Sequence, residues 1–329
     1  MTPESGWLGS KVLITGGLGF IGSTLAIRLT QLGASVTVLD SLIPEYGGNP
    51  RNIAGFEDRI CVNISDVRDV HSLKHLLRGQ NYLFNLAGQT SHLDSMTDPF
   101  TDLEINCRAQ LSILETCREV NPDVRLVFAS TRQLYGRPDY LPVDERHPLR
   151  PVDVNGINKL SGEFYHLLYQ QVYGIRTTVL RLTNTFGPRM RICDGRQTFV
   201  GIWIRRVLEG QPFEVWGGSQ LRDFTYVDDC VDALLLAATV PSAVGRCFNL
   251  GGMQPVSLLE LARQLVTVHG SGEYICREFP EERRKIDIGD YYSDDGLIRR
   301  ELGWKPETTL QTAIERTLSY YRSNLPFYI

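Results

Sequence analysis

Lys11-Val-Leu-Ile-Thr15-Gly16-Gly17-Leu18-Gly19-Phe20-Ile21-Gly22, with Ser35-Val-Thr-Val-Leu39-Asp40 after it, decides how this chain folds. The first five residues are a β-rich apolar run suited to a strand buried on both faces. Gly22 to Leu32 carries Leu25, Leu29 and Leu32 at helical spacing and stops at Gly33. A second apolar run then ends on Asp40. Strand, glycine turn, helix and strand in this order predict a βαβ unit. Glycines 17, 19 and 22 satisfy Gly-x-Gly-x-x-Gly, and 16, 19 and 22 satisfy Gly-x-x-Gly-x-x-Gly. Such loops let a pyrophosphate approach backbone amides at a helix N-terminus. A carboxylate about twenty residues further on, here Asp40, can bind both hydroxyls of an adenosine ribose. It would repel a 2′-phosphate, so the expected cofactor is NAD.

The alternation continues. Tyr82–Leu86, Arg125–Ala129 and Arg176–Arg181 read as strands, with helices predicted over 102–120 and 158–173. This pattern predicts an α/β fold, a Rossmann-type doubly wound parallel sheet with right-handed crossovers. After Gly187-Pro188 the rhythm becomes irregular, with helices predicted near 198–210, 257–269 and 309–322. The expected division is a dinucleotide-binding domain over 10–187, to which 227–251 returns. Segments 188–226 and 252–329 form a smaller mixed α/β substrate lobe. No internal repeat or low-complexity tract interrupts the chain.

Composition narrows the possible partners. The 329 residues are 42% hydrophobic with a net charge of -4, which gives no basis for binding nucleic acid or an anionic membrane. The triplet Arg283-Arg284-Lys285 reads as a solvated loop or part of an anion site. The opening Met-Thr-Pro-Glu-Ser-Gly-Trp lacks the basic and apolar regions of a secretory signal, and no apolar run is long enough to span a bilayer. Seven scattered cysteines without a C-x-x-C pair suggest reduced thiols in a cytoplasmic protein, with neither a disulfide framework nor a metal site.

Further segments carry a resemblance. They are Asp66-Val67, Asn85-Leu86-Ala87-Gly88, Phe128-Ala-Ser-Thr131-Arg-Gln-Leu-Tyr135-Gly136 and Pro151-Val-Asp-Val-Asn155-Gly-Ile-Asn-Lys159. In the second half come Arg181-Leu-Thr-Asn184-Thr-Phe-Gly187-Pro188, Arg222-Asp223-Phe-Thr-Tyr-Val-Asp228, Arg284-Lys-Ile-Asp287 and Leu302-Gly-Trp-Lys-Pro306. In order and spacing they resemble the extended short-chain dehydrogenase/reductase superfamily, specifically its NAD-dependent nucleotide-sugar epimerases and dehydratases. The resemblance covers about residues 10 to 322.

It implies a set of roles. Gly16, Gly19, Phe20, Ile21, Gly22, Asp40, Asp66, Val67, Leu86, Ala87, Gly88, Asn106 and Lys159 would hold NAD. Thr131, four residues before Tyr135, would hydrogen-bond the sugar oxygen being oxidised. Thr131, Arg132, Asn184, Arg222, Arg284 and Asp287 would contact a nucleotide-diphosphate sugar, with Arg222 gripping the diphosphate. Asp223 and Asp228 read as structural. The resemblance also implies a homodimer through 102–120 and 155–173, with Leu111, Leu114, Leu167 and Leu168 as an apolar face or as core.

The chain departs from the family at two places. Asn155 stands where the family carries the acid/base Tyr of Tyr-x-x-x-Lys, and a carboxamide has no accessible pKa. Three readings follow: His92 or Cys193 transfers the proton instead, the chemistry needs no strong base there, or turnover is lost. Arg132 and Gln133 replace the Asp-Glu pair that eliminates water in 4,6-dehydratases. They can hold a carboxylate or another oxygen-rich group, or Arg132 can face solvent. The sequence therefore favours an epimerase acting through a transient keto-sugar. A dehydratase or reductase with an unconventional acid/base, or a binding protein without turnover, is the alternative.

Overall fold

The computed structural model describes residues 6–46, 48–196, 198–252, 254–279, 281 and 287–329. Strands β1 (Lys11–Thr15), β2 (Ser35–Asp40), β3 (Ile60–Ile64), β4 (Tyr82–Asn85), β5 (Arg125–Thr131) and β6 (Arg176–Leu182) join Cys247–Leu250 in one sheet. Its order is Cys247–Leu250, β6, β5, β4, β1, β2, β3, and every pairing is parallel. The order turns back beside β1, the switch point at which such sheets bind ligands beyond their carboxyl ends.

Helices cover both faces, so the central strands are apolar on both sides. On one face α1 (Phe20–Gln31) and the helix Val227–Thr239 pack Leu25, Leu29 and Leu234 against Val12, Ile14 and Phe84. On the other, α2 (Val70–Leu77) and two later helices, Ala109–Val120 and Val154–Tyr173, close over Leu13, Leu83 and Leu126. Between them in sequence lie α3 (His92–Thr97) and α4 (Pro99–Leu103).

The helix predicted over 102–120 is interrupted. It consists of α4, a π-helical turn over Glu104–Arg108, and α5 (Ala109–Val120). The wider turn brings Ile105 and Asn106 inward, and such turns recur at functional sites. The next helix, α6 (Val154–Tyr173), starts four residues before the predicted boundary. Asp153 caps it by accepting the Gly156 N–H at 2.7 Å, and Gly174 closes it with a φ of 74°.

Of the remaining elements, the helix Gly296–Leu302 packs Ile298 and Leu302 with α1, and most others surround a separate apolar cluster. The helices Phe199–Leu208, Leu258–His269 and Leu310–Asn324 and three two-stranded pairings enclose Trp203, Phe213, Phe224, Tyr226, Leu261 and Leu318. One pairing joins Asn184–Phe186 to Phe224–Tyr226, which sets Asn184 and Arg222 at the mouth of the sheet. No helix among the described residues is long and apolar enough to cross a membrane.

Candidate functional site

A cleft of about 1260 Å³ opens above the carboxyl ends of β1, β4 and β5 and extends under the smaller cluster. Its first half is built by the glycine loop. A Cβ on Gly22 would stand 2.2 Å from the Gly16 carbonyl oxygen, and one on Gly16 would stand 3.0 Å from the Ala87 Cα. The backbone is therefore as close-packed as a pyrophosphate cradle requires. Gly19 caps α1 without a side-chain bond, leaving the first-turn amides beside Phe20 and Ile21 available to an anion. Leu86, Ala87 and Gly88 run along the opposite wall.

Asp40 terminates β2 and is nearly buried. Its oxygens accept the Leu18 and Leu42 N–H groups, each at 3.0 Å, which fixes the glycine loop to the strand end. Burial raises its pKa, and the backbone hydrogen bonds oppose that rise. Asp66 and Val67 line the cleft beyond it. Asp66 pairs with Arg68 at 2.7 Å, and that hydrogen bond lowers its pKa. These residues fit a dinucleotide: the glycines leave it room, and a nearly buried carboxylate waits where its ribose would lie.

Lys159 reaches the cleft from α6. Its Nζ lies 3.4 Å from the Ala129 carbonyl oxygen and within 2.7 Å of where a Cβ on Gly88 would be. A side chain at 88 would press on this ammonium and make it shift. Burial lowers the Lys159 pKa to about 8, and the negative charge of Asp102 opposes the fall. Thr131, at the end of β5, lines the same cleft and accepts the Gln133 N–H at 3.3 Å.

Asn155 also borders the cleft, yet its amide is committed to the protein. Nδ2 donates to the Gln89 backbone oxygen at 2.8 Å, to Gln89 Oε1 at 3.2 Å and to Asp102 Oδ2 at 2.9 Å. Asn106 and Asn158 donate to the same carboxylate at 3.0 and 2.8 Å. Three amides thus satisfy one fully buried charge, and Asn155 acts as a strut. Asn106 lies beneath the cleft and outside its lining; its Oδ1 is buried without a partner, close to Gly88.

His92 lines the cleft as well. Its Nδ1 is 2.7 Å from Asp153 Oδ2, and its Nε2 meets the Gln133 side-chain amide. Cys193, the other residue weighed as a base, is absent from the lining. Sequence reasoning did not single out Asp153, Asp102 or Gln89. Asp153 carried one local signal, an Asp just before a helix.

On the substrate side, Arg132 does not turn to solvent. It lies 4.9 Å above the Tyr291 ring, and its Nη2 donates to Asn184 Oδ1 at 3.3 Å, while Nη1 is buried without a partner. Burial lowers its pKa. Below it, burial pushes Asp223 up to about 6, and Asp223 accepts the Ser293 N–H at 2.9 Å. Arg222 lines the cleft with Nη2 3.8 Å from Asp287 Oδ1, and Nη1 bonded to the carbonyl oxygens of Leu221 and Gly289. Burial, with repulsion from Arg132, brings its pKa down to about 10. Arg284 lies outside the described residues.

Comparison with known proteins agrees with this architecture. The NAD dependent epimerase/dehydratase family model matches residues 12–251. A putative UDP-glucose 4-epimerase of Methanocaldococcus jannaschii is 32% identical over 319 residues, 95% of this chain and 99% of that protein. Among solved structures, epimerase Mth375 of Methanothermobacter thermautotrophicus superposes with a TM-score of 0.93 at 26% identity, covering 100% of this chain and 96% of the other. The UDP-glucose 4-epimerase of Thermotoga maritima, solved with UDP-glucose, gives 0.87 at 29% identity over 96% and 99%. Likeness of this extent covers the glycine loop, the sheet and the cleft together. The chain belongs to the NAD-dependent epimerase/dehydratase family, with NAD as its cofactor.

Proposed function

We propose that this chain epimerises a nucleotide-diphosphate sugar through a transient keto-sugar. The carrying observation is one cleft that joins a dinucleotide cradle to Lys159 and Thr131 on one side and to Arg222 and Asn184 on the other. Bound NAD supplies a hydride acceptor that can return what it takes. Lys159 keeps a positive charge at neutral pH beside Gly88 and holds the cofactor's ribose. The Thr131 hydroxyl fixes the sugar oxygen, and Arg222 offers a permanent charge to the diphosphate. Arg284 and Asp287 extend the nucleotide contact, and segments 188–226 and 252–329 serve as the substrate lobe.

Epimerisation is favoured over dehydration by the residues after Thr131. Elimination of water needs an acid and a base there, and neither Arg132 nor Gln133 supplies one. We also propose a homodimer. Leu114 belongs to the core, and Leu111 and Leu167 are partly buried against it. Ile157, Phe164, Leu168 and Val172, by contrast, are each about half exposed along α6, with Phe100 and Leu103 exposed beside them. This stripe suits a second copy of the same face.

The test is incubation of the NAD-loaded protein with UDP-, GDP-, CDP- and TDP-sugars in D₂O, with products followed by NMR. An epimer without deuterium is the expected result and indicates hydride return to the opposite face of the oxidised carbon. Deuterium in the product would instead show proton exchange beside a keto carbon. An unchanged panel with NAD still bound would refute turnover on these sugars.

A further inference from the structure

The missing phenol leaves a chemical requirement unmet. A hydroxyl that becomes a keto group must lose its proton to some acceptor in the cleft, and Asn155 has no basic atom to offer. Among the lining residues, His92 has both the chemistry and the surroundings. Its ring is about one-third exposed, and it sits between Asp153, two residues before Asn155, and Gln133, two residues after Thr131. The ring is therefore held by near neighbours of both positions from which the family pattern works on the sugar hydroxyl, and it lines the same cleft as they do.

Its partners fix its tautomer. Asp153 is buried on the cap of α6, and its carboxylate accepts the Gly156 N–H through Oδ1. Burial raises the Asp153 pKa, but the hydrogen bond from His92, with the Gly156 N–H and the nearby charge of Arg132, leaves it lowered. An ionised carboxylate only accepts, so the proton on the His92–Asp153 hydrogen bond belongs to Nδ1. Nε2 then carries a lone pair, which the Gln133 amide N–H engages. A sugar hydroxyl is the same kind of partner, a single donor, and can replace that amide. We infer that His92, oriented by Asp153, is the acid/base residue of this site and receives the sugar hydroxyl proton in place of the missing phenol. The inference rests on the keto-sugar reading above.

The step balances. As the sugar carbon is oxidised, its C–H bond breaks and the electron pair would leave as hydride to NAD, while its O–H bond breaks and the proton forms an N–H bond at Nε2. The ring becomes an imidazolium whose charge Asp153 neutralises. When the keto group is reduced again, Nε2 returns the proton to the oxygen. Asp153 is a positioning residue: it fixes the ring and stabilises its charged form. The charged groups around the dyad are Asp153 on α6, Asp94 on α3 with its partner Arg196 at 3.2 Å, and Arg132, whose charge reaches Asp153.

The test uses the NAD-loaded full chain with two variants and two kinds of readout. His92→Gln keeps a side chain that can bond Asp153 and Gln133 but removes the base. Asp153→Asn keeps the cap, since Asn and Asp cap helices about equally well. Turnover of the sugar that reacts in the panel is expected to fall by on the order of 10²–10⁴ in His92→Gln, with KM nearly unchanged. Its pH–rate profile should lose the acid limb. In Asp153→Asn that limb should move to lower pH, because removing the anion makes the imidazole easier to deprotonate. Nitrogen NMR of the wild-type ring should show a protonated Nδ1 and a free Nε2. Turnover within threefold of wild type in His92→Gln, or a proton on Nε2 at neutral pH, overturns the inference. Calorimetric titration with UDP-glucose and UDP-glucuronate separates the two claims. A chain that binds and converts a nucleotide sugar yet ignores His92 refutes only the dyad, whereas one that neither binds nor converts any refutes both.

Discussion

Replacing Lys159 with Met is predicted to stabilise the protein while removing its turnover. Met has nearly the length and volume of Lys without the charge. Burial lowers the pKa of this lysine from 10.5 to about 8, so holding it charged at neutral pH costs about 3 kcal/mol relative to the unfolded chain. Against this stand one long hydrogen bond, Nζ to the Ala129 oxygen at 3.4 Å, and the Phe128 ring 5.3 Å from Nζ, together worth about 1 kcal/mol. The net gain of the Lys159→Met variant is therefore about 2 kcal/mol at neutral pH. Native Lys159 releases its proton at lower pH than the unfolded chain does, so unfolding between pH 8 and 10.5 takes up a proton. Wild-type stability accordingly rises through that window, and the variant lacks this increment. The assay is urea denaturation of both proteins across that range, reading the difference between them so that shared titrations cancel. The variant's advantage should be full below pH 8 and should give way to a wild-type advantage of about 1 kcal/mol, the hydrogen bond it lacks, above pH 10.5. A variant less stable than wild type at neutral pH, or a difference independent of pH, would refute the argument.

Three further outcomes follow from the same geometry. Gly22→Ala places a Cβ 2.2 Å from the Gly16 carbonyl oxygen, so the loop must shift; calorimetric titration should show NAD affinity reduced at least tenfold, about 1.4 kcal/mol. Asn155→Asp turns a donor into a second carboxylate, with Asp102 Oδ2 2.9 Å from the position it replaces. Urea melts should show a loss of about 3–5 kcal/mol at neutral pH, easing in mild acid as the pair takes up a proton. Phe164→Glu puts a charge into the exposed stripe on α6, and analytical ultracentrifugation should find the proposed dimer for the wild type and monomers for the variant.

The sequence disclosed what depends on short-range pattern. β1, the glycine loop and Asp40 were legible because a buried strand, a turn and a helix start each leave a local signature. β3 left none: it is the edge of the sheet, and Val62 and Ile64 stay exposed. The break in the 102–120 helix was equally hidden, since nothing in Glu104-Ile-Asn-Cys-Arg108 resembles a turn. Long-range pairing was the main thing concealed. His92 and Asp153 are 61 residues apart, and Asn155 meets Asp102 across 53. Arg132 shows the same limit. Its charge suggested a ligand or solvent, and only the solvent reading is set aside, because the fold lays it over Tyr291 and ties it to Asn184 in the cleft wall.

Asn155 invites the view that the site has lost its chemistry, and the energetics of its neighbours argue otherwise. A chain that needed only to fold would gain from an apolar residue at 159, since the buried ammonium there works against stability. It would also gain nothing from glycine at 88, whose empty side is what accommodates that ammonium. Asn155 itself is no loose remnant: with Asn106 and Asn158 it hydrogen-bonds the buried Asp102 carboxylate, whose charge in turn supports the protonated state of Lys159. The amide thus contributes to the electrostatics of the lysine instead of to proton transfer. That division of labour places a demand for a base elsewhere on the cleft, and a carboxylate-bound imidazole lines it. The substitution at 155 and the pairing of His92 with Asp153 are best read as two parts of one rearranged site.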